Sequence, residues 1–568
     1  MTAEEAPQKT HSYRLLLAIV ALLLAVLYAQ VLLSYSGGRW VPPLRDDLIF
    51  FQYARSIAEG HPFEFHPGAA RTTGATSHLY VFALVPVYLA MKGSANLFAG
   101  AFLLNGAFWL VSVLLVYGIA RRLFERTAEA ATLLVILTGP VSFGFFAGHD
   151  MALATMLFLF AAWGLAANQA IVAAIALFLL GWARPEGLLV SAALIAVALI
   201  APKGEKRPKW AVVGGFGLVG TAAVLVFNHL LTGNAVFTSM QNKGLLGRYP
   251  LHVSLCEAAG AAVTLLRDVF IGGGEPARAF YFLPLIGIPF LLGLIPRLKW
   301  ATVDLWLAVS AILVTGLIAI SGYVGLQHDK YLVWVFVLVT IYAVAGLPAI
   351  ENLLGGRIRW HALFAIVAVF GAVGTVWFLG DYGRRIVEER AVAGTIERAG
   401  ALLPENARVG VMGGSGIQYY LPQNEVINLN GITHAGFVAA WSNPAAQFEV
   451  LEDTPALRPA FWFLSDAERG QLDAAGLLGA PILSSPAFLG AQTHEAMYLA
   501  TTDWLDQAPE TPIDAAVLQI TGTLKLVDAI DLTLPSDEAA HNHERFMLSG
   551  GMRPLDNVSR GPLEGLTI

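Results

Sequence analysis

Long apolar runs constrain this chain more than any other feature. About 20 predominantly apolar residues suffice to cross a bilayer. Apolar runs recur at roughly 14–36, 98–120, 128–147, 151–168, 170–183, 187–202, 210–231, 279–297, 301–321, 331–350 and 361–380, several of them short and expected to cross only with help from neighbouring residues. In lipid every backbone amide must be satisfied within the spanning element, so runs of this kind fold as helices. Composition agrees. The 568 residues are 56% hydrophobic and 13% charged, with mean hydropathy +0.62, too little charge to cover a soluble protein of this size. The net charge of −6 is segregated among loops and leaves no basic face, which argues against nucleic acid as a partner. The single cysteine, Cys256, excludes an internal disulfide and reads most simply as a small buried residue. The leading segment "MTAEEAPQKTHSYR" is acidic and no A-x-A site follows it, so the first run is expected to be a retained span.

After Gly380 the hydropathy falls, and "DYGRRIVEERAVAGTIERAG" opens a second domain. There "ARVGVMG", "EVINLN", "AFWFL" and "LKLVDAIDL" read as strands and "AERGQLDAAG" as a helix, an α/β pattern. The run "LYVFALVPVYLAM" (Leu79 to Met91) is short and carries Pro86. If it lies in the interface and the N-terminus is cytoplasmic, then "RRLFER", "KGEKRPK", "PRLK" and "GRIRWH" all fall on the cytoplasmic side, as the positive-inside rule requires. If it spans, all four are exported. The expected fold is therefore a polytopic α-helical membrane protein with about 11 transmembrane helices. Residues 1–380 form the membrane module, with its first external loop at 37–97. Residues 381–568 form a soluble, extracytoplasmic α/β domain.

With that topology one face collects Asp46 and Asp47, "TTGATSH", "GHD", "RPEG", "TSMQNKG" and "QHDKY". Carboxylates, histidine and lysine converging on one face of a bundle mark a candidate active site at the membrane surface. Asp46 and Asp47 precede "LIFFQYARSIAEG", where Gln52, Arg55, Ser56 and Glu59 make one polar stripe at helical spacing and Gly60 is a C-terminal stop. An acidic N-cap explains one aspartate. It does not explain two, because a second adjacent carboxylate adds repulsion. Successive helical residues project about 100° apart, so the two serve different tasks: one as a base toward a hydroxyl, the other to hold a cation or orient the first.

The stretch "RDDLIFFQYARSIAEGHPFEFHPGAARTTGATSHLY" resembles the first external loop of the GT-C superfamily of membrane glycosyltransferases. The nearest branch includes polyprenyl-phosphate-dependent mannosyl-, aminoarabinose- and terminal arabinofuranosyl-transferases. The match runs through Asp46, Asp47, Ile49, Tyr53, Ala54, Arg55, Ala58, Glu59, Gly60, His61, Pro67, Gly68, Arg71, Gly74, Thr76 and Ser77. Elsewhere it thins to islands: "GHDMALATMLF", "ARPEGLLV", "LTGNAVFTSMQNKG", "HDKYLVWVFVL" and "VGVMGGSGIQYYLPQNEVINLNGI". Departures from the family pattern are Gln52 for the usual Arg, His66-Pro67-Gly68 for N-P-G, Thr73-Gly74 for E-G, and Gly148-His149-Asp150-Met151 for "GMET".

The resemblance implies a glycosyltransferase, hexosyl or pentosyl and inverting, that takes sugar from a polyprenyl phosphate in the outer leaflet of the cell membrane. The acceptor is a hydroxyl on a glycan, a lipid or a protein, and the setting is cell-envelope assembly. It makes Asp46 the base, with Asp47 as helper. Asp150 takes the place of the superfamily's second acidic residue, and with Asp46 it could share a divalent cofactor such as magnesium, manganese, calcium or zinc. Charge on the leaving phosphate would come from His78, Arg55, Arg184, Lys243, His328 and Lys330. Plainer readings stand beside these: Asp150 as a helix cap, Arg184 paired with Glu186 in a turn, the lysines as snorkelling residues, and Tyr331 as a belt aromatic. "MGGSG" lacks the spacing of a nucleotide loop, and "HNHE" has no partner cluster for a metal. Two other functions compete. A secondary transporter would carry its charges at mid-membrane, and a non-catalytic assembly protein would keep the fold alone.

Overall fold

In the computed structural model of the chain, residues 5–91, 97–200, 206–241, 251–270, 284–299, 303–321, 330–412, 416–440, 444–465, 468, 478–486 and 496–502 are described. The apolar runs become helices, as lipid requires: α1 (Glu5–Ser36), α2 (Asp47–Ala58), α3 (His78–Ala90), α4 (Leu97–Phe124), α5 (Ala128–Ile136), α6 (Gly139–Phe146), α7 (Met151–Ala166), α8 (Ala170–Ala183), α9 (Gly187–Ile200), α10 (Lys206–Thr232), α11 (Leu251–Phe270), α12 (Pro284–Leu294), α13 (Val303–Ile320), α14 (Val333–Leu353) and α15 (Trp360–Leu402). Two compact units result. One comprises Met1–Trp40, Thr76–Ala235 and Lys243–Gly383, the other Val41–Ala75, Val236–Asn242 and Arg384–Ile568. The segment bearing the acidic pair therefore groups with the C-terminal residues.

In the first unit six described segments are long and apolar enough to cross a membrane: Ser12–Ser36, Leu97–Ile136, Lys209–Thr232, Val303–Ile320, Lys330–Leu353 and Trp360–Leu402. The last of these continues beyond Gly383. A seventh is possible if α6 and α7, bent by 117° at their break, count as one span. The runs at 170–183 and 187–202 are short, as their sequence bounds lead one to expect. At 14 residues each, α8 and α9 reach only about 21 Å at 1.5 Å per residue, against roughly 30 Å of hydrocarbon. The 13-residue α3 is shorter still. It starts at Ser77, whose side chain accepts from Tyr80 N at 3.3 Å.

Aromatic packing joins α1, α4, α6 and α15. Tyr28 stacks on Phe146 at 4.8 Å and meets Tyr382 edge-on at 5.0 Å. Trp109, buried beside Phe145, donates its indole N–H to Ala21 O at 3.1 Å; a buried tryptophan needs such a partner. Cys256 departs from expectation. It is exposed on α11, as are Leu251 and Leu255, because a helix of a membrane bundle turns apolar side chains outward as readily as inward.

The second unit holds a five-stranded mixed sheet in the order β2-β1-β3-β5-β4, with β1 (Arg408–Val411), β2 (Glu425–Asn428), β3 (Phe461–Ser465), β4 (Leu478–Pro486) and β5 (Ala496–Thr502). β1 runs parallel to β2 and β3; β5 is antiparallel to β3 and β4. Parallel strands must be covered on both faces, and these are. Val409, Val411, Phe461 and Phe463 pack on Val392 and Ile396 of α15. Met412, Trp462 and Leu464 pack with Leu451 on the opposite face. The strands expected from "ARVGVMG", "EVINLN" and "AFWFL" thus form, whereas "LKLVDAIDL", "AERGQLDAAG" and "HNHE" lie outside the described residues.

Candidate functional site

Asp46 occupies the position before α2 but makes no side-chain cap bond there, and Asp47 begins the helix fully buried. The capping explanation therefore fails for Asp46, which is half-buried. The polar stripe is not a solvent face either. Gln52, Arg55 and Ser56 are buried. Gln52 Nε2 donates to Phe65 O at 2.6 Å, and its Oε1 accepts from Arg55. Arg55 also donates to Tyr419 O at 3.1 Å and Gln418 O at 3.2 Å and lies over the Tyr419 ring. Within this unit Arg55 is thus a strut that fixes α2, and Gln52 is held between a carbonyl and that guanidinium. Gly60, with φ +92°, ends the helix as expected.

The "TTG" segment is anchored by its hydroxyls. Tyr53 OH and Thr72 Oγ1 lie 2.6 Å apart, Thr72 Oγ1 donates to Thr433 O at 3.3 Å, and Thr73 exchanges bonds with Thr238 at 2.9 and 3.0 Å. Gly74 N donates to Tyr53 OH at 3.0 Å. A Cβ on Gly74 would meet Ile432 O at 2.6 Å, so only glycine fits. Burial pushes the Tyr53 phenol up to about 12, against the bonds to Thr72 and Gly74, which lower it. His434 is pushed down to about 4, mainly by burial and further by neighbouring His66.

In the first unit, Asp150 stands in the break between α6 and α7. Gly148 makes the turn with φ +99°, a conformation that favours glycine. Three carbonyls at the break receive donors from other helices. Tyr382 OH bonds Phe146 O at 3.0 Å, Tyr80 OH bonds Gly148 O at 2.7 Å, and Asn105 Nδ2 bonds His149 O at 3.2 Å. Asp150 makes no cap bond to α7. Its Oδ2 accepts instead from Arg184 Nη1 at 3.1 Å. Arg184 grips Glu186 with Nε at 2.9 Å and Nη2 at 2.6 Å, and it also reaches Thr76 Oγ1 at 3.2 Å. Its guanidinium lies 5.0 Å from the centre of the Tyr331 ring. Asp150 is 1% exposed, Arg184 7%, Glu186 8% and Lys330 2%. A small cavity beside them is lined by Arg184, Glu186, Tyr331, Phe158, Val190 and Trp334 among others.

These contacts decide between the readings of the "RPEG" turn: Arg184 pairs with Glu186 and also with Asp150. They bear equally on a metal. Both carboxylates of the cluster are engaged by one guanidinium, and Lys330 is near enough to act electrostatically on Asp150. Among the described residues no group of three or more His, Cys, Asp or Glu side chains could hold an ion. The residues around Asp150 do not fit a divalent cation.

His78 begins α3 fully buried. Its Nε2 lies 2.6 Å from Asn228 Oδ1, and its ring sits among Phe82, Trp182 and Phe227. Burial holds its pKa down near 4. Lys243 and His328 lie outside the described residues. Sequence reasoning missed Tyr80, Asn105 and Asn228 as structural partners. Asn105 and Asn228 had a signal, since a lone polar side chain in an apolar span rarely lacks a task.

No family model and no curated protein sequence matches the chain. Solved structures do match its fold. A crystal structure of ArnT from Cupriavidus metallidurans bound to undecaprenyl phosphate superposes with a TM-score of 0.52 at 12% identity, covering 84% of this chain and 97% of that one. The same protein in the apo state gives 0.50 at 13% identity with the same coverage. The archaeal oligosaccharyltransferase AglB from Archaeoglobus fulgidus, in complex with an inhibitory peptide and a dolichol-phosphate, gives 0.49 at 12% identity, covering 86% of this chain and 74% of that one. The chain has the GT-C fold.

Proposed function

We propose that the chain is an integral membrane glycosyltransferase that moves a sugar from a polyprenyl-phosphate donor to an acceptor hydroxyl on the extracytoplasmic face, in cell-envelope glycan or glycolipid assembly. The observation that carries this reading is the Asp46–Asp47 pair at the head of α2, in a chain with the fold that in ArnT holds undecaprenyl phosphate. Counting α8, α9 and α12 as short crossings, the bent pair α6 and α7 as one span, and the 40-residue segment Leu97–Ile136 as two gives eleven spans. The basic loops then support a cytoplasmic N-terminus and an extracytoplasmic, soluble C-terminal domain.

In this reading the acceptor oxygen attacks the anomeric carbon while its proton passes to the carboxylate of Asp46. The bond from that carbon to the phosphate oxygen breaks, and polyprenyl phosphate leaves with the electron pair. A single displacement of this kind inverts the anomeric centre. Half-buried Asp46 is better placed to meet a substrate than fully buried Asp47, which orients the site. Lys243 and His328 are the remaining candidates for balancing phosphate charge, because Arg55, Arg184 and His78 already hold protein groups and Lys330 belongs to the charged cluster around Asp150.

The test is reconstitution of the purified chain in liposomes containing polyprenyl-phosphate sugars extracted from membranes, followed by mass spectrometry of released polyprenyl phosphate. Release that depends on both the chain and an acceptor is expected. Transport of the intact donor lipid without cleavage would replace this reading with a transporter.

A further inference from the structure

We propose that Arg184 is the built-in counter-ion of Asp150 and stands where a divalent cation would have to bind, so that Asp150 acts without a metal. A role for Asp150 in transfer, as the second acidic residue that the GT-C resemblance implies, rests on the reading above; the pairing itself does not.

The argument is one of charge and geometry. Asp150 and Glu186 supply two negative charges, Arg184 and Lys330 two positive ones, and all four side chains are more than nine-tenths buried. The cluster is neutral as it stands. A divalent ion on Asp150 Oδ2 would displace Arg184 Nη1 from its 3.1 Å bond and lie against the guanidinium, adding uncompensated positive charge where little water can screen it. Magnesium and calcium also need several oxygens around them, and both carboxylates here already accept from Arg184. Glu186 does the aiming. Its two oxygens take Nε and Nη2, which fixes the guanidinium plane and leaves Nη1 for Asp150 and Thr76. Only a planar fork can hold two carboxylates at once, and a lysine ammonium lacks that geometry. Arg184 and Glu186 are thus positioning residues, acting through Asp150.

The experiment uses the full chain in lipid nanodiscs, titrated with manganese and followed by the paramagnetic resonance of the free ion. Wild type and Asp150→Asn are expected to bind manganese identically, because no site depends on Asp150. Loss of a manganese site in Asp150→Asn would overturn the proposal. This readout needs no substrate, so it stands whether or not the chain transfers sugar. Where transfer is measurable, Arg184→Gln should lose about 100-fold or more in kcat with little change in KM, and Arg184→Lys, which keeps the charge, should recover part of the loss. Glu186→Gln, which is less disruptive to folding, should show the same split more weakly. Unchanged kcat in folded Arg184→Gln would contradict the assignment.

Discussion

An aspartate just before a helix is read by default as its cap, and Asp46 and Asp150 both hold that position. Neither makes the cap bond. Asp150 is claimed by Arg184 across 34 residues of sequence, a contact no local pattern announces. Residue identities were legible here and their partners were not, because a carboxylate's partner is chosen in three dimensions. Gly74 is the opposite case: its place in the family pattern was visible, but the reason is the 2.6 Å approach to Ile432 O. Gly74→Ala should therefore destabilise the protein by about 1–3 kcal/mol, the usual cost of overpacking. A thermal melt of the purified variant checks this, and an unchanged midpoint would mean the backbone yields more easily than the packing indicates.

At the scale of elements, the break between α6 and α7 is held open deliberately. An interrupted helix in an apolar setting exposes carbonyls that must find donors, and Tyr382, Tyr80 and Asn105 supply them. Tyr80→Phe removes one donor while keeping the ring. It should cost about 1–3 kcal/mol, as for a buried acceptor left unmade, and should lower transfer, since Asp150 sits at the break. Thermal stability and turnover measured on the same preparation would show both losses. A stability loss with wild-type turnover would detach the break from function. The helices themselves were read correctly from hydropathy, as were the strands at 408–411, 425–428 and 461–465. Helix length was legible too, since the runs at 170–183 and 187–202 are already shorter than a full crossing and α8 and α9 fill them at 14 residues each. What hydropathy did not show is the break inside the run 128–147, which folds as α5 and α6.

For the whole molecule, the sequence places a boundary where hydropathy drops, near residue 380, whereas the fold also gathers residues 41–75 and 236–242 with the C-terminal part. Hydropathy records what surrounds a segment and says nothing of which distant segment it packs on. Stability should follow pH through the second unit. The imidazole of His434 titrates near 4 when folded and near 6.5 when unfolded. Between those values the unfolded chain binds a proton that the folded chain does not, so His434 leaves stability intact above about 6.5 and lowers it as pH falls toward 4, by up to about 3 kcal/mol. His434→Gln should narrow the gap in melting temperature between about pH 7 and about pH 4.5; an equal gap would place the acid sensitivity elsewhere. The central claim is that Asp46 is the base of a sugar transfer, and the most direct measurement is turnover of a polyprenyl-phosphate sugar by wild type and by Asp46→Asn at matched thermal stability. Turnover by wild type that falls about 10²–10⁴-fold in the variant is the predicted result for loss of a general base. Equal turnover by the two would contradict it.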